Sequence, residues 1–183
     1  NGVCCGENHR PGHWQRRGRY VDDLARLAVE AVDLVRDEQP EEAGAPVVQV
    51  NTGNGCHLDS DMVNRAVKEL QPADNSVLMI ENVGNLVCPS LFDLGESQRV
   101  VIMSITEGED KPLKYPLMFQ AADLMLINKI DLLPHINFDL EQCKAFARQI
   151  NPQIEIMELS CHSGAGMQQW YDWLVQGANR KRH

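Results

Sequence analysis

No stretch of this sequence approaches the roughly 18 consecutive apolar residues of a membrane helix. No secretory leader is visible either, and a soluble protein is expected. Basic residues are in deficit: 17 Lys and Arg stand against 26 Asp and Glu, a formal net charge of −9. That deficit argues against nucleic acid as the principal partner, because a phosphate backbone selects basic surfaces. The acidic residues are scattered along the chain, so no acidic tail is indicated. What remains is ordinary. The 183 residues, 43% of them hydrophobic, suffice for one domain with a substantial core. The first residue is Asn rather than Met, as expected of a fragment.

There are six cysteines, Cys4, Cys5, Cys56, Cys88, Cys143 and Cys161. Without secretory cues, reduced thiols in a cytoplasmic protein are expected rather than three disulfides, with some serving as metal ligands and others packed in the core.

Residues 1–20 are rich in Gly, Arg, His and Cys, with little periodicity, and read as loop. Apolar residues at helical spacing predict an amphipathic helix over 21–38, and Pro40, Gly44 and Pro46 then break the chain. We therefore expect an atypical segment over 1–42, loop plus one helix, followed by a domain over 43–183. Within that domain short apolar runs alternate with helical patterns. Strands are expected at VVQV (47–50), SVLMIEN, RVVIMSIT, LMLINK and IEIMELS. Helices are expected over 59–70, 114–121, 140–150 and 167–174, with a loop over 89–98. This alternation predicts an α/β fold, a mostly parallel sheet flanked by helices. Such sheets bind ligands beyond the carboxyl ends of their strands, where Cys56, Glu81, Asn128 and Ser160 are all placed.

Three of those strand ends carry recognisable chemistry. LMLINKIDLLP contains Asn-Lys-x-Asp directly after an apolar strand. A carboxylate can accept from both N1 and N2 of guanine, a donor pair that adenine lacks, so Asp131 is the candidate specificity residue. Asn128 would brace the loop and Lys129 would lay its stem over the base. Further on, Ser160 to Gly164 in ELSCHSGAGM fits a Ser-x-x-Ser-Gly loop whose backbone N–H groups approach the same base, with Cys161 and His162 inside it. The competing reading of that loop is a helix cap. In IENVGNLVCP, Glu-x-x-Gly closes a strand and is the acidic variant of the Asp-x-x-Gly loop of nucleotide switches. Glu81 would act on Mg2+ through water, and the Gly84 N–H would sense the γ-phosphate. The fourth strand end, VNTGNGCHLD, places Cys56 beside His57 in a glycine-rich loop. Thiolate and imidazole suit Ni2+ or Zn2+, although a lone cysteine or histidine is more often structural.

Taken together and in this order, VNTGNGCHLD, IENVGNLVCPSLFDLGE, TEGEDKPLKYPLMF, LMLINKIDLLPHINFD and SCHSGAGMQQWYDWL resemble the HypB family over about residues 43–176. The resemblance implies a P-loop GTPase that helps insert nickel during NiFe-hydrogenase maturation, with GTP and Mg2+ as cofactors. It implies a nucleotide- and metal-linked homodimer whose Ni2+ or Zn2+ is held by Cys56, His57 and Cys88. It further implies a HypA-like nickel-delivery protein and the hydrogenase large subunit as partners, in the cytoplasm, with no nucleic acid and no membrane. Family members often carry a Cys- or His-rich amino end, and Cys4, Cys5, His9 and His13 are weak candidates for a second metal patch.

The resemblance stops upstream of about Ala43. No Gly-x-x-x-x-Gly-Lys-Ser/Thr loop occurs anywhere in the sequence. The N-terminal strand and phosphate loop are thus not recognisable, whether through a divergent start or a shifted reading frame. Three readings follow. One is a GTP-hydrolysing nickel metallochaperone. Another is a non-catalytic, dimerising, metal-binding relative that has lost the phosphate loop. The third, a translation or signalling GTPase, is disfavoured by Glu81 in place of Asp and by the Cys-His loop.

Overall fold

Strands with few polar residues can be buried on both faces, as Val77–Glu81 and Leu124–Asn128 are along their whole length. The computed structural model describes residues 25–31, 46–51, 57–73, 76–82, 90 and 92–180. The elements in chain order are β1 (Ala25–Ala31), α1 (Ser60–Leu70), β2 (Val77–Glu81), β3 (Gln98–Ser104), α2 (Lys111–Lys114), α3 (Pro116–Ala121), β4 (Leu124–Asn128), α4 (Leu140–Ile150), β5 (Glu155–Glu158) and α5 (Met167–Arg180). The five strands pair in the order β2-β1-β3-β4-β5, and every pairing is parallel.

The period of two along a strand sorts side chains onto two faces. In β4, Leu124 and Leu126 join one core with Val63, Val67, Trp170, Trp173 and Leu174, so α1 and α5 cover that face. Met125 and Ile127 join the other core with Met118, Phe119, Cys143 and Ala147, so α3 and α4 cover the opposite face. Each fully buried Val, Leu, Ile, Met or Phe among them contributes about 1.5–3 kcal/mol. Helices α1 and α4 start where short polar side chains satisfy their first N–H groups. Asp59 accepts from the Met62 amide at 2.7 Å, and Asp139 accepts from the Gln142 amide at 2.9 Å.

Three elements differ from the sequence expectation. First, residues 25–31 lie within the expected helix over 21–38, yet they form β1, paired on one side with β2 and on the other with β3. Two ladders of interstrand hydrogen bonds at the centre of a sheet outweigh a weak local preference for helix. The remainder of residues 1–42, including Cys4, Cys5, His9 and His13, lies outside the described residues. Second, residues 47–50 form no strand; Val48 and Val50 still pack against the α1/α5 core, so the apolar residues are used without a ladder. Third, the helix expected over 114–121 is interrupted at Tyr115 (φ −128°, ψ 55°) and becomes α2 and α3. Pro116 disfavours a helical conformation in the residue before it.

Candidate functional site

β4 and β5 are adjacent parallel strands, so the loops that leave their carboxyl ends must meet. Asn128, the last residue of β4, is 6% exposed, and its side-chain oxygen joins the two loops. Oδ1 accepts from the Lys129 amide at 2.7 Å and from the Cys161 amide, in the loop after β5, at 3.2 Å. The tight turn this imposes places Lys129 in the left-handed region, at φ 66°, an uncommon conformation for a side chain of this size. Two residues later, Asp131 Oδ1 accepts from the Ser160 hydroxyl at 2.5 Å. The Ser160 Oγ in turn accepts from the Ser163 amide at 3.0 Å, and the Ser160 backbone closes the loop through Ala165 and Gly164. Cys161 and His162 are exposed on the resulting turn.

The structure thus brings Asn128, Lys129, Asp131, Ser160 and Cys161 into one hydrogen-bonded cradle, with His162 on its rim. Its preorganised carboxylate can accept a pair of donors from a planar ligand. Gly166 was not singled out by its motif, but it is required here. At φ 73°, a Cβ on it would stand 2.0 Å from the Glu158 carbonyl oxygen, so only glycine lets the loop fold back on β5.

A second cluster lies at the end of β2. Glu81 is 3% exposed, and among the described residues its Oε1 has no hydrogen-bond partner. Burial pushes its carboxyl up from 4.5 to about 9, so it is protonated at neutral pH. A buried carboxyl with an unsatisfied oxygen at a sheet's carboxyl edge suits a hydrated divalent cation, whose charge would favour ionisation. The next residue, Asn82, is 1% exposed, and its Oδ1 accepts from the Leu58 amide at 3.1 Å. That bond ties the chain beside His57 to the chain beside Glu81. The His57 ring stacks on Phe92, with centroids 3.8 Å apart and planes 11° apart.

The loop carrying Phe92 is held by Arg99. Its Nη2 donates to the Phe92 carbonyl at 2.8 Å, and its guanidinium also pairs with Glu96. Through β1 the register sets Arg99 level with Ile80, because both pair with Ala28. Asn82, Phe92 and Arg99 were not identified as site residues by sequence. Their position beside motif residues was the available signal, but a through-space stack leaves no spacing to read. Cys56, Gly84 and Cys88 lie outside the described residues. Cys143, by contrast, is a core residue. It is fully buried with its Sγ 3.7 Å from Met103 Sδ, and burial, reinforced by the negative charge of Glu109, pushes its thiol up to about 12. Among the described residues no helix is long and apolar enough to cross a membrane.

Comparison with known proteins decides the family. Residues 21–158 match the family described as "CobW/HypB/UreG, nucleotide-binding domain". Hydrogenase maturation factor HypB of Azotobacter chroococcum is 62% identical over 131 residues, covering 72% of this chain and 43% of that protein. The chain belongs to the HypB family. Two solved HypB structures share its parallel α/β fold. HypB from Archaeoglobus fulgidus superposes with a TM-score of 0.69 at 33% identity, covering 84% of this chain and 89% of that one. HypB from Helicobacter pylori, determined in complex with nickel, gives 0.73 at 32% identity, covering 86% and 76%. The chain spans about half the length of the curated relatives it matches. HypB membership and these superpositions make this a P-loop-type α/β fold.

Proposed function

We propose that this chain binds guanine nucleotide and nickel, and that it serves as a GTP-dependent metallochaperone in NiFe-hydrogenase maturation. The observation that carries the proposal is the cradle at the ends of β4 and β5. There Asn128 braces both loops and Asp131 is held by Ser160. Asp131 accepts from guanine N1 and N2, Lys129 covers the base with its stem, and the backbone of Ser160, Cys161 and His162 approaches it. An adenine would leave the carboxylate without its donor pair, a loss that discriminates strongly in a partly buried site.

Glu81 is the residue fitted to hold a hydrated Mg2+, and the Gly84 amide is placed by its motif to read the γ-phosphate. Such a cation supplies positive charge against the β- and γ-phosphates. The protein's own contribution at this point is a carboxyl that must release its proton to accept the ion, so cation binding is linked to pH.

Nickel is cargo in this scheme. Cys56, His57 and Cys88 form the ligand set, with Zn2+ as the competing ion, and a two-fold partner completes the shell with the same residues. The Asn82–Leu58 hydrogen bond supports a mechanical tie between the nucleotide loop and the metal loop. The residues assigned to this chemistry all fall within 43–183, and it takes place in the cytoplasm. A HypA-like protein delivers nickel to it, and the hydrogenase large subunit receives the metal.

One observation favours a second reading: the sequence holds no Gly-x-x-x-x-Gly-Lys-Ser/Thr loop. Without that lysine and amide cradle, this chain is a non-catalytic, dimerising metal binder that keeps the base site. Calorimetry with Mg2+·GTP and Mg2+·ATP tests both. Weak binding of GTP alone, with negligible hydrolysis, fits the second reading. Tight binding with turnover fits the first, and equal binding of the two nucleotides overturns the guanine site.

A further inference from the structure

Phe92 belongs to neither core cluster, and at 37% exposure it is one of five exposed large hydrophobic residues among the described ones. Core packing therefore does not explain its position. Its ring lies face to face with the His57 imidazole, 3.8 Å away and 11° from parallel. We propose that Phe92 is a positioning residue that sets the plane of the His57 ring for metal ligation. The inference rests on the reading of His57 as a ligand and adds the residue that aims it.

The stereochemistry supports this assignment. A metal binds an imidazole nitrogen along a lone pair in the ring plane, whereas a stacked aromatic occupies the ring face. Phe92 therefore restricts tilting of the imidazole without occupying the direction from which a metal is bound. A histidine ligand is normally oriented by a neighbour, and loss of that neighbour weakens the site even though no ligand is removed.

The two rings sit on separately anchored segments, so the stack is a fixed geometry rather than a chance contact. On the His57 side, the Leu58 amide donates to Asn82 Oδ1 at 3.1 Å, Leu58 is 1% exposed, and Asp59 caps α1. On the Phe92 side, Arg99 of β3 grips the Phe92 carbonyl at 2.8 Å and pairs with Glu96. Glu96 also receives the Leu94 amide at 2.7 Å, and Asp93 receives the Gly95 amide at 2.7 Å. Leu94, two residues from Phe92, is 2% exposed and packs in the α1/α5 core. The sheet thus holds one ring through α1 and Asn82 and the other through Arg99.

The test titrates Ni2+ alone into the full chain, against a chromophoric chelator, for the wild type, His57→Ala, Phe92→Leu and Phe92→Tyr. Ligand-field spectra of the nickel-bound proteins are recorded alongside. Phe92→Leu keeps apolar bulk but removes the flat face, so Ni2+ affinity falls about tenfold and the ligand-field bands shift. Phe92→Tyr restores both, and thermal melts of the metal-free variants stay together. If His57→Ala weakens nickel binding while Phe92→Leu matches wild type in affinity and spectrum, the positioning role is overturned and the ligand reading stands. If Phe92→Tyr fails to restore what Phe92→Leu loses, stacking is not the determinant and the role is again overturned. If His57→Ala binds Ni2+ like wild type, the ligand reading itself fails, and this inference fails with it.

Discussion

Replacing Glu81 by Gln should change the pH dependence of stability in a direction fixed by the burial of that carboxyl. Burial moves Glu81 from 4.5 to about 9. Between those values the folded protein holds a proton that the unfolded chain has released, so stability falls as pH rises through this window. It levels off above about 9 and is fully restored below about 4.5. The slope from this one group is about 1.4 kcal/mol per pH unit, which accumulates to about 3 kcal/mol by neutral pH. Gln keeps the shape and cannot ionise, so the variant lacks this slope. An amide nitrogen without a partner adds a penalty of about 1–3 kcal/mol, but that penalty is independent of pH. Urea denaturation of the metal-free proteins from pH 5 to 9 measures the difference. The stability of Glu81→Gln relative to wild type should climb steadily across the range. Parallel curves would refute a buried Glu81 that keeps its proton at neutral pH.

Further consequences follow from other contacts. Asp131→Ala should remove the preference for guanine over adenine nucleotides, a loss of about 2–4 kcal/mol in discrimination, measured in a chimera carrying a family phosphate loop. Persistence of the preference would make the Asn-Lys-x-Asp loop merely structural. Gly166→Ala should lower stability by more than about 1 kcal/mol, because its Cβ meets the Glu158 carbonyl at 2.0 Å at positive φ; a thermal melt matching wild type would contradict this. Cys56→Ala should lose most nickel binding, and Cys88→Ala should reduce it and weaken metal-promoted dimerisation. Cys143→Ala should leave both intact, since that thiol is buried beside Met103. Metal titration with sedimentation separates them, and equal behaviour of Cys56→Ala and Cys143→Ala would misplace the site.

The parts of this molecule legible in its sequence are those set by local pattern. Leu124–Asn128 and Leu140–Ile150 occur where apolar runs and a capping Asp139 put them. The hydrogen-bonded loops after β4 and β5 were legible because Asn-Lys-x-Asp and Ser-x-x-Ser-Gly record that bonding in fixed spacing. β1 was not, since ARLAVEA carries a helical spacing and only its two neighbouring strands decide its conformation. Val48 and Val50 misled in the opposite direction, being apolar for packing rather than for pairing. The Phe92–His57 stack and the Asn82–Leu58 bond depend on contacts between segments distant in sequence, which no single-chain periodicity encodes.

The central claim is that the loops after β4 and β5 form a guanine-specific cradle. Its most direct test is a nuclear magnetic resonance titration of the labelled chain with GDP and, separately, ADP at matched concentrations. Our account predicts that GDP moves the amide signals of Lys129, Asp131, Cys161, Ser163 and Ala165, that ADP leaves them in place, and that Asp131→Ala abolishes the difference. Equal shifts with the two nucleotides, or GDP-induced shifts confined to residues away from these loops, would contradict it.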